Sequence, residues 1–249
     1  MDGILLVDKP QGKTSHDVVD AVRRERGERS VGHAGTLDPL ATGLLVLGVG
    51  KATRLVEYMQ YDKTYEAEFR LGILTETDDA DSPKIEERSV PTRAELEAAA
   101  SKLLGEISQK PPRYSAVKVD GRKLYEYARK GQEVEAPERK VRVDELTLLS
   151  YEAPTARFRV RGSKGLYVRS IARDLGGHVT VLRRTACGPF RVEDVSSDLL
   201  PMDVALMHLP EVRLSTEELH RFETGRIVER PVEPLVRVYC GNDSASVPR

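Results

Sequence analysis

Apolar positions along the chain fall into segments whose period changes from stretch to stretch. Gly3-Ile-Leu-Leu-Val7 is continuously apolar and stops at Lys9-Pro10-Gln-Gly12, which predicts a buried strand and a turn. Ser15 follows where a helix N-cap belongs, and Val18, Val19 and Val22 recur at helical spacing until Gly27. Between residues 65 and 71 the period drops to two. Tyr65, Ala67, Phe69 and Leu71 face one way and Glu66, Glu68 and Arg70 the other, as in a half-buried antiparallel strand. Thr92 and Glu95 have capping-box spacing ahead of Leu96, Ala99, Leu103 and Leu104, a helix that Gly105 ends.

Further on, residues 122–130 read as a short basic helix stopped by Gly131, and residues 141–149 and 157–161 as strands. Residues 168–175 read as a helix and 180–186 as extended chain. Helices and strands do not alternate regularly, so the predicted class is α+β, a mainly antiparallel sheet with flanking helices. Beyond residue 208, Pro210, Pro231 and Pro234 punctuate short extended segments such as 235–239. This divides the chain into a main domain, 1–208, and a small β-rich domain, 209–249.

The composition is that of an ordinary globular protein: 249 residues, 39% hydrophobic and 32% charged. The longest apolar stretch, Gly43 to Val49, is far too short to span a bilayer, and Met1-Asp2-Gly3 lacks the basic start of a signal peptide. Cys187 and Cys240 form no CxxC or Cys/His pattern, so a reducing, cytoplasmic setting without a metal is expected. The net charge of -1 conceals a division: residues 76–106 carry nine acidic and four basic groups, and residues 157–191 nine basic and one acidic. Residues 110–142 carry ten basic and five acidic groups, interleaved with tyrosines. A polyanion responds to such a local field rather than to the total.

Several chemistries are excluded by spacing. Gly50-Lys51 lacks the glycine at position 45 and the following hydroxyl that a phosphate loop requires. There is no G-x-S-x-G elbow and no histidine pair at metal-ligand spacing. One stretch stands apart: Gly32-His33-Ala34-Gly35-Thr36-Leu37-Asp38-Pro39-Leu40-Ala41-Thr42-Gly43. Three glycines around one histidine and one aspartate describe a backbone that turns sharply and admits another molecule, and Pro39 biases Asp38 towards an extended conformation. A loop aspartate capping its neighbours fits the same composition.

This stretch resembles the signature of the bacterial TruB family of tRNA pseudouridine synthases. Other blocks resemble the family in order over about residues 3–200. They include Leu6-Val-Asp-Lys9-Pro10, Asp62-Lys63-Thr-Tyr65, Thr77-Asp78-Asp79-Ala80-Asp81, Pro112-Arg-Tyr-Ser115-Ala116-Val-Lys118, Leu-Tyr167-Val-Arg169-Ser170 and His178-Val-Thr-Val-Leu182-Arg183-Arg184.

The resemblance implies a pseudouridine synthase fold with a PUA-like C-terminal domain, and isomerisation of uridine 55 in the tRNA T-loop without a cofactor. It assigns Asp38 as the catalytic carboxylate and Arg169 as the cation that keeps it ionised. Tyr65 would stack on the target base, with Leu182 packed against the uracil and Tyr167 beside it. His33 would hold the flipped conformation, and Asp79 would hydrogen-bond near the site. Residues 110–142 would be a basic insertion closing on the T stem-loop. Lys9, Lys118, Arg122, Lys123, Arg129, Lys130, Arg183 and Arg184 would contact RNA.

The implied protein is a monomer without an obligate partner. A guide-RNA-dependent catalytic subunit and a tRNA-binding protein with incidental catalysis are the competing readings. The chain is shorter than the family pattern at Asp174-Leu-Gly176-Gly177-His178, after Asp81 and in the C-terminal segment, as though loops were missing.

Overall fold

A computed structural model describes residues 1–132, 134–226 and 235–240. Its first half contains β1 (Gly3–Lys9), α1 (Ser15–Arg26), β2 (Val31–His33), β3 (Thr42–Val49), a 3-10 helix (Gly50–Tyr58), β4 (Lys63–Leu71), β5 (Ile73–Thr75), β6 (Lys84–Glu87), α2 (Arg93–Ser101) and β7 (Gly105–Gln109). The insertion folds as β8 (Lys118–Val119), β9 (Arg122–Lys123) and α3 (Leu124–Ala128). It is followed by β10 (Arg139–Glu152), β11 (Thr155–Gly162), α4 (Val168–Asp174), β12 (Gly177–Cys187) and β13 (Phe190–Arg191). The described C-terminal elements are β14 (Glu211–Leu214), α5 (Thr216–Glu223) and β15 (Arg237–Cys240).

A nine-stranded sheet runs in the order β1-β3-β12-β4-β11-β10-β7, with β2 on β3 and β13 on β12. Its pairs are antiparallel except β12 with β3, so the sheet is mixed. β12 lies between β3 and β4, strands that lie close together in the sequence. Both faces of β1 and β3 are covered, which explains their unbroken apolar runs. Leu5, Leu45 and Leu47 pack with α1 residues Val18, Val19 and Val22. Ile4, Leu6, Leu44 and Val46 pack on the other side against Ala52, Leu55, Met59 and Tyr61. The β4 alternation emerges as read, with Tyr65, Ala67, Phe69 and Leu71 buried.

Two local readings change, and a third place, where the chain is shorter than the family pattern, takes a defined shape. Thr14, not Ser15, caps α1, because Asp17 stands at the N3 position from Thr14 and completes a reciprocal capping box. Residues 122–130 are not one helix. Asp120 and Gly121, both at positive φ, turn the chain into the β8–β9 hairpin before α3 begins. The short connection at Asp174-Leu-Gly176-Gly177 is a tight turn: Gly176 has φ 85° and its carbonyl accepts from the Gly72 amide at 2.9 Å.

In the C-terminal segment, β14 and β15 pair in parallel and flank α5 in sequence. Tyr239 ties this unit to Asp203 and Arg237 ties it to Leu209. Pro231, Pro234 and the stretch from Asn242 lie outside the described residues. Among the described residues no helix is long and apolar enough to cross a membrane.

Candidate active site

The site begins with the connection from β2 to β3, a loop that other parts of the chain hold from several sides. Ser15, buried at the start of α1, accepts from the Leu37 amide at 2.8 Å and donates to the Leu37 carbonyl at 3.1 Å. The Gly12 amide donates to the Pro39 carbonyl at 2.8 Å. Arg184, on β12, donates through Nε to Leu44 O at 2.6 Å and through Nη2 to Gly35 O at 3.1 Å. Lys9, at the end of β1, donates to the carbonyls of Lys13 at 2.6 Å, Pro10 at 3.0 Å and Pro39 at 3.4 Å. A backbone fixed from three elements presents Asp38 in one direction.

Asp38 faces a cavity of about 230 Å³, below the roughly 300 Å³ at which typical ligand pockets begin. That space suits one nucleotide-sized group rather than a large cofactor. Ala34 to Asp38 form one wall, and Lys63 and Tyr65 from β4 another. Leu182 of β12, Ser115 and Ala116 at the root of the insertion, and residues 164–169 complete it. Arg169, 5% exposed, meets Asp38 at two points: Nη2 donates to Oδ1 at 3.1 Å, and Nε forms an ion pair with Oδ2 at 2.9 Å without the alignment of a hydrogen bond. The same guanidinium reaches Thr77 O at 2.9 Å, Tyr114 O at 3.0 Å and Asp79 Oδ2 at 3.5 Å. Asp79 accepts from Thr77 Oγ1 and the Asp81 amide, so it orients Arg169 from behind and does not line the cavity.

Electrostatics follow from this crowding. Desolvation pushes the Asp38 carboxyl above its ordinary value, and the Arg169 cation pulls against that rise. Burial also raises the Tyr65 and Tyr167 hydroxyls, which stay protonated at neutral pH. His33 lies one residue before the cavity wall, its proton affinity lowered by burial and by Arg184. Its Nδ1 has no partner among the described residues.

Asp38, Tyr65, Tyr167, Arg169 and Leu182 thus line one cavity, with Asp79 and His33 just outside it. Two expected RNA contacts are corrected. Lys9 is fully buried and Arg184 is 2% exposed, and neither presents its charge to a polyanion. Their charged ends are taken by carbonyls of the Asp38 loop and its flanks, since a buried cation persists only when its donors are satisfied. Arg183 is half-buried and pairs with Asp8 at 2.6 Å. Lys118, Arg122, Arg129 and Lys130 are exposed on the insertion, and Lys123 and Arg129 flank the Tyr125 ring.

Sequence reading missed Ser15, whose hydroxyl imitates a cap, and Gln109. The Gln109 side chain brackets Tyr167, accepting from its amide at 2.9 Å and donating to its carbonyl at 3.2 Å. It missed Lys63 too, although a lysine in register with the apolar face of β4 was a readable signal.

Residues 23–168 match the family model described as TruB family pseudouridylate synthase (N terminal domain). The tRNA pseudouridine synthase B of Geobacillus thermodenitrificans is 44% identical over 93% of this chain and 87% of its own length. The enzyme of the same name from Thermobifida fusca is 46% identical over 90% of this chain and 83% of its own. Among solved structures, one from a Cbf5-Nop10-Gar1 complex superposes with a TM-score of 0.73 at 26% identity, covering 98% of this chain and 76% of that one. A shared fold over nearly the whole chain, a family match over more than half of it and relatives above 40% identity place this chain in the TruB family of pseudouridylate synthases.

Proposed function

We propose that this chain converts uridine 55 in the T-loop of tRNA to pseudouridine, acting as a monomer without a guide RNA, and that Asp38 is its catalytic carboxylate. The observation that carries the reading is the two-point grip of Arg169 on Asp38 at a nucleotide-sized cavity. Desolvation raises the proton affinity of this carboxylate and the Arg169 cation opposes that rise, holding it in one orientation where a base and its sugar would sit. The relatives' shared name, tRNA pseudouridine synthase B, supports the substrate class.

In this reading the target nucleotide leaves its stack, at a cost of a few kcal/mol, and enters between Tyr65 and Leu182. His33 supports the flipped arrangement, while Arg169 and Asp79 keep Asp38 charged and aimed. Asp38 acts while the bond from C1′ to N1 breaks, the uracil turns, and C5 rejoins C1′. The cations of the insertion, Lys118, Arg122, Lys123, Arg129 and Lys130, together with Arg183, grip phosphates, and residues 209–249 add a PUA-like RNA-binding unit. Such contacts give position and salt dependence rather than sequence recognition.

A guide-RNA-dependent subunit is the second reading, favoured by the likeness to a chain of the Cbf5-Nop10-Gar1 complex. The higher identity of the synthase B relatives and the basic insertion support the stand-alone enzyme. Unmodified tRNA incubated with the protein alone, followed by pseudouridine mapping, separates the two. Product at position 55 is expected, and its absence until a guide RNA is added would sink the stand-alone reading. Asp38→Asn should lower the rate by at least about 10³-fold with folding intact. Turnover by that variant at the wild-type rate would remove Asp38 from the chemistry.

A further inference from the structure

Lys63 is a lysine where the β4 pattern calls for an apolar side chain. It lies on the same strand face as Tyr65, Ala67 and Phe69 and is 9% exposed. Its ammonium has three N–H donors, of which one reaches the Tyr61 carbonyl at 3.0 Å; no other hydrogen-bond partner or ion pair is found for it among the described residues. The side chain lines the cavity beside Tyr65 and runs under the Asp38 loop. A Cβ on Gly35 would meet Lys63 Cε at 3.1 Å. Of the charged side chains that line the cavity, Lys63, Lys164 and Arg169 are cations and Asp38 alone is an anion. Arg169 is committed to Asp38 and Asp79, and Lys164 is exposed. Lys63 is the deep cation of the cavity with no carboxylate in contact among the described residues; the neighbouring Asp62 acts on it only at a distance.

Lys9 and Arg184 have their donors taken by several carbonyls, whereas Lys63 has one such bond, so its charge is left for a counter-charge that a neutral uracil does not bring. The reaction itself creates one. When the C1′–N1 bond breaks, its electron pair leaves with the base, and the uracil carries a full negative charge spread over N1, O2 and O4. The sugar's deficit is met by a bond from Asp38 to C1′ or by loss of the C2′ proton to Asp38. C5 then bonds to C1′, either displacing the Asp38 carboxylate from C1′ or joining C1′ as Asp38 returns the proton to C2′, and this consumes the base's charge. Loss of the C5 proton with uptake of a proton at N1 completes an isomerisation without net redox change and leaves Asp38 as it began.

Resting on the proposed function of the same cavity, we infer that Lys63 is a catalytic residue that neutralises the detached uracil anion. Two positions from Tyr65 on an extended strand, about 7 Å along it, place the ammonium towards the edge of a base stacked on that ring. Desolvation, which lowers the affinity of Lys63 for its proton, makes the fixed charge more responsive to an arriving anion. A phosphate of the target nucleotide would instead remain at the mouth, where Lys164 is exposed.

Leaving-group chemistry tests this. Two tRNAs, one with uridine and one with 5-fluorouridine at the target position, are compared in single turnover with wild-type, Lys63→Met, Lys63→Gln and Lys63→Arg enzymes. Fluorine stabilises the base anion, so that substrate needs the cation less. The neutral variants should cleave the glycosidic bond of the uridine substrate at least 100-fold more slowly, with tRNA binding within threefold of wild type. On the fluorinated substrate their defect should shrink at least tenfold, and Lys63→Arg should recover part of the rate.

Single-turnover rate constants do not depend on the active fraction, so partial misfolding leaves the ratio between substrates at its wild-type value. An unchanged ratio overturns the inference, as does failure of both neutral variants to fold while Lys63→Arg folds. Wild-type enzyme that makes no pseudouridine would instead defeat the underlying functional reading. Wild-type product with an unaltered variant ratio defeats only the role of Lys63.

Discussion

Between Ala34 and Ala41 the chain is bound by Ser15, Gly12, Lys9, Val46 and Arg184, residues drawn from both ends of the main domain. The insertion from Lys110 onwards is built differently. Its root is fastened, with the Lys110 carbonyl accepting from Ser170 and Arg173 at 2.9 Å each and the Tyr114 carbonyl accepting from Arg169. Beyond the root it rests on a small apolar cluster of Val117, Leu124 and Ala136, with Val119, Val134 and Tyr167 against it. The contrast separates two demands. A carboxylate that acts on one bond needs a backbone with a single geometry, whereas a surface that meets a flexible polyanion needs charge and reach.

Truncation of the loop's deepest anchor should show the largest effect. Arg184→Ala leaves the carbonyls of Gly35 and Leu44 without their donors and opens a void beneath the loop. A loss of about 3 kcal/mol or more in unfolding free energy and near-complete loss of turnover are expected from denaturant titration and pseudouridine assay. Stability close to wild type would mean that the loop holds itself.

Arg169→Lys keeps a cation but gives up the two-point grip, so kcat should fall about 100-fold with KM little changed. The pH profile should move with it. Burial raises the Asp38 proton affinity and Arg169 lowers it, so on the proposed role the reactive carboxylate is present above its folded pKa and lost as pH falls through it. Weakening the grip shifts the acid limb of kcat to higher pH. A limb that stays in place or moves down would assign it to another group.

Ser15→Ala tests a lighter fastening, one hydroxyl that makes two bonds to Leu37. Its cost should be about 1–2 kcal/mol, with kcat reduced roughly tenfold and tRNA affinity unchanged. The smallest effect belongs to the insertion. Lys118→Ala and Arg122→Ala should each weaken tRNA binding modestly and reduce the salt dependence by about 0.7–0.9 per lost phosphate contact, leaving the melting temperature unmoved. A melting-temperature change as large as that of Ser15→Ala would erase the distinction between the two regions.

Local rules read the local features. The β4 alternation, the Thr92–Glu95 capping box and Gly27 at the end of α1 each depend on a few neighbouring residues, and each forms. The motif around Asp38 likewise marked the loop that the structure brings against Arg169. Features set by distant residues stayed hidden. Ser15 obeys the local signature of a cap, but Thr14 has the better-spaced partner, and the Ser15 hydroxyl is left for Leu37, 22 residues away. Lys9 and Arg184 looked like phosphate contacts because a cation in a resembling motif says nothing about which side of a strand it takes. The sheet places both inside, against carbonyls that no periodicity reveals. Asp120-Gly121 was legible as a hairpin turn and was overridden by the basic residues around it.

The position of β12 also sets a timetable for folding. It is wedged between β3 and β4, strands made early in the chain, and the contact between Arg183 and Thr42 closes a span of 141 residues. Hairpins such as β10–β11 close over short distances and form quickly, while a closure of that length waits on loop entropy. Leu182 of the cavity and Arg184 of the loop arrive on that same strand. During synthesis, Asp38 therefore leaves the ribosome long before it has a pocket to serve, and competence is among the last properties the growing chain acquires.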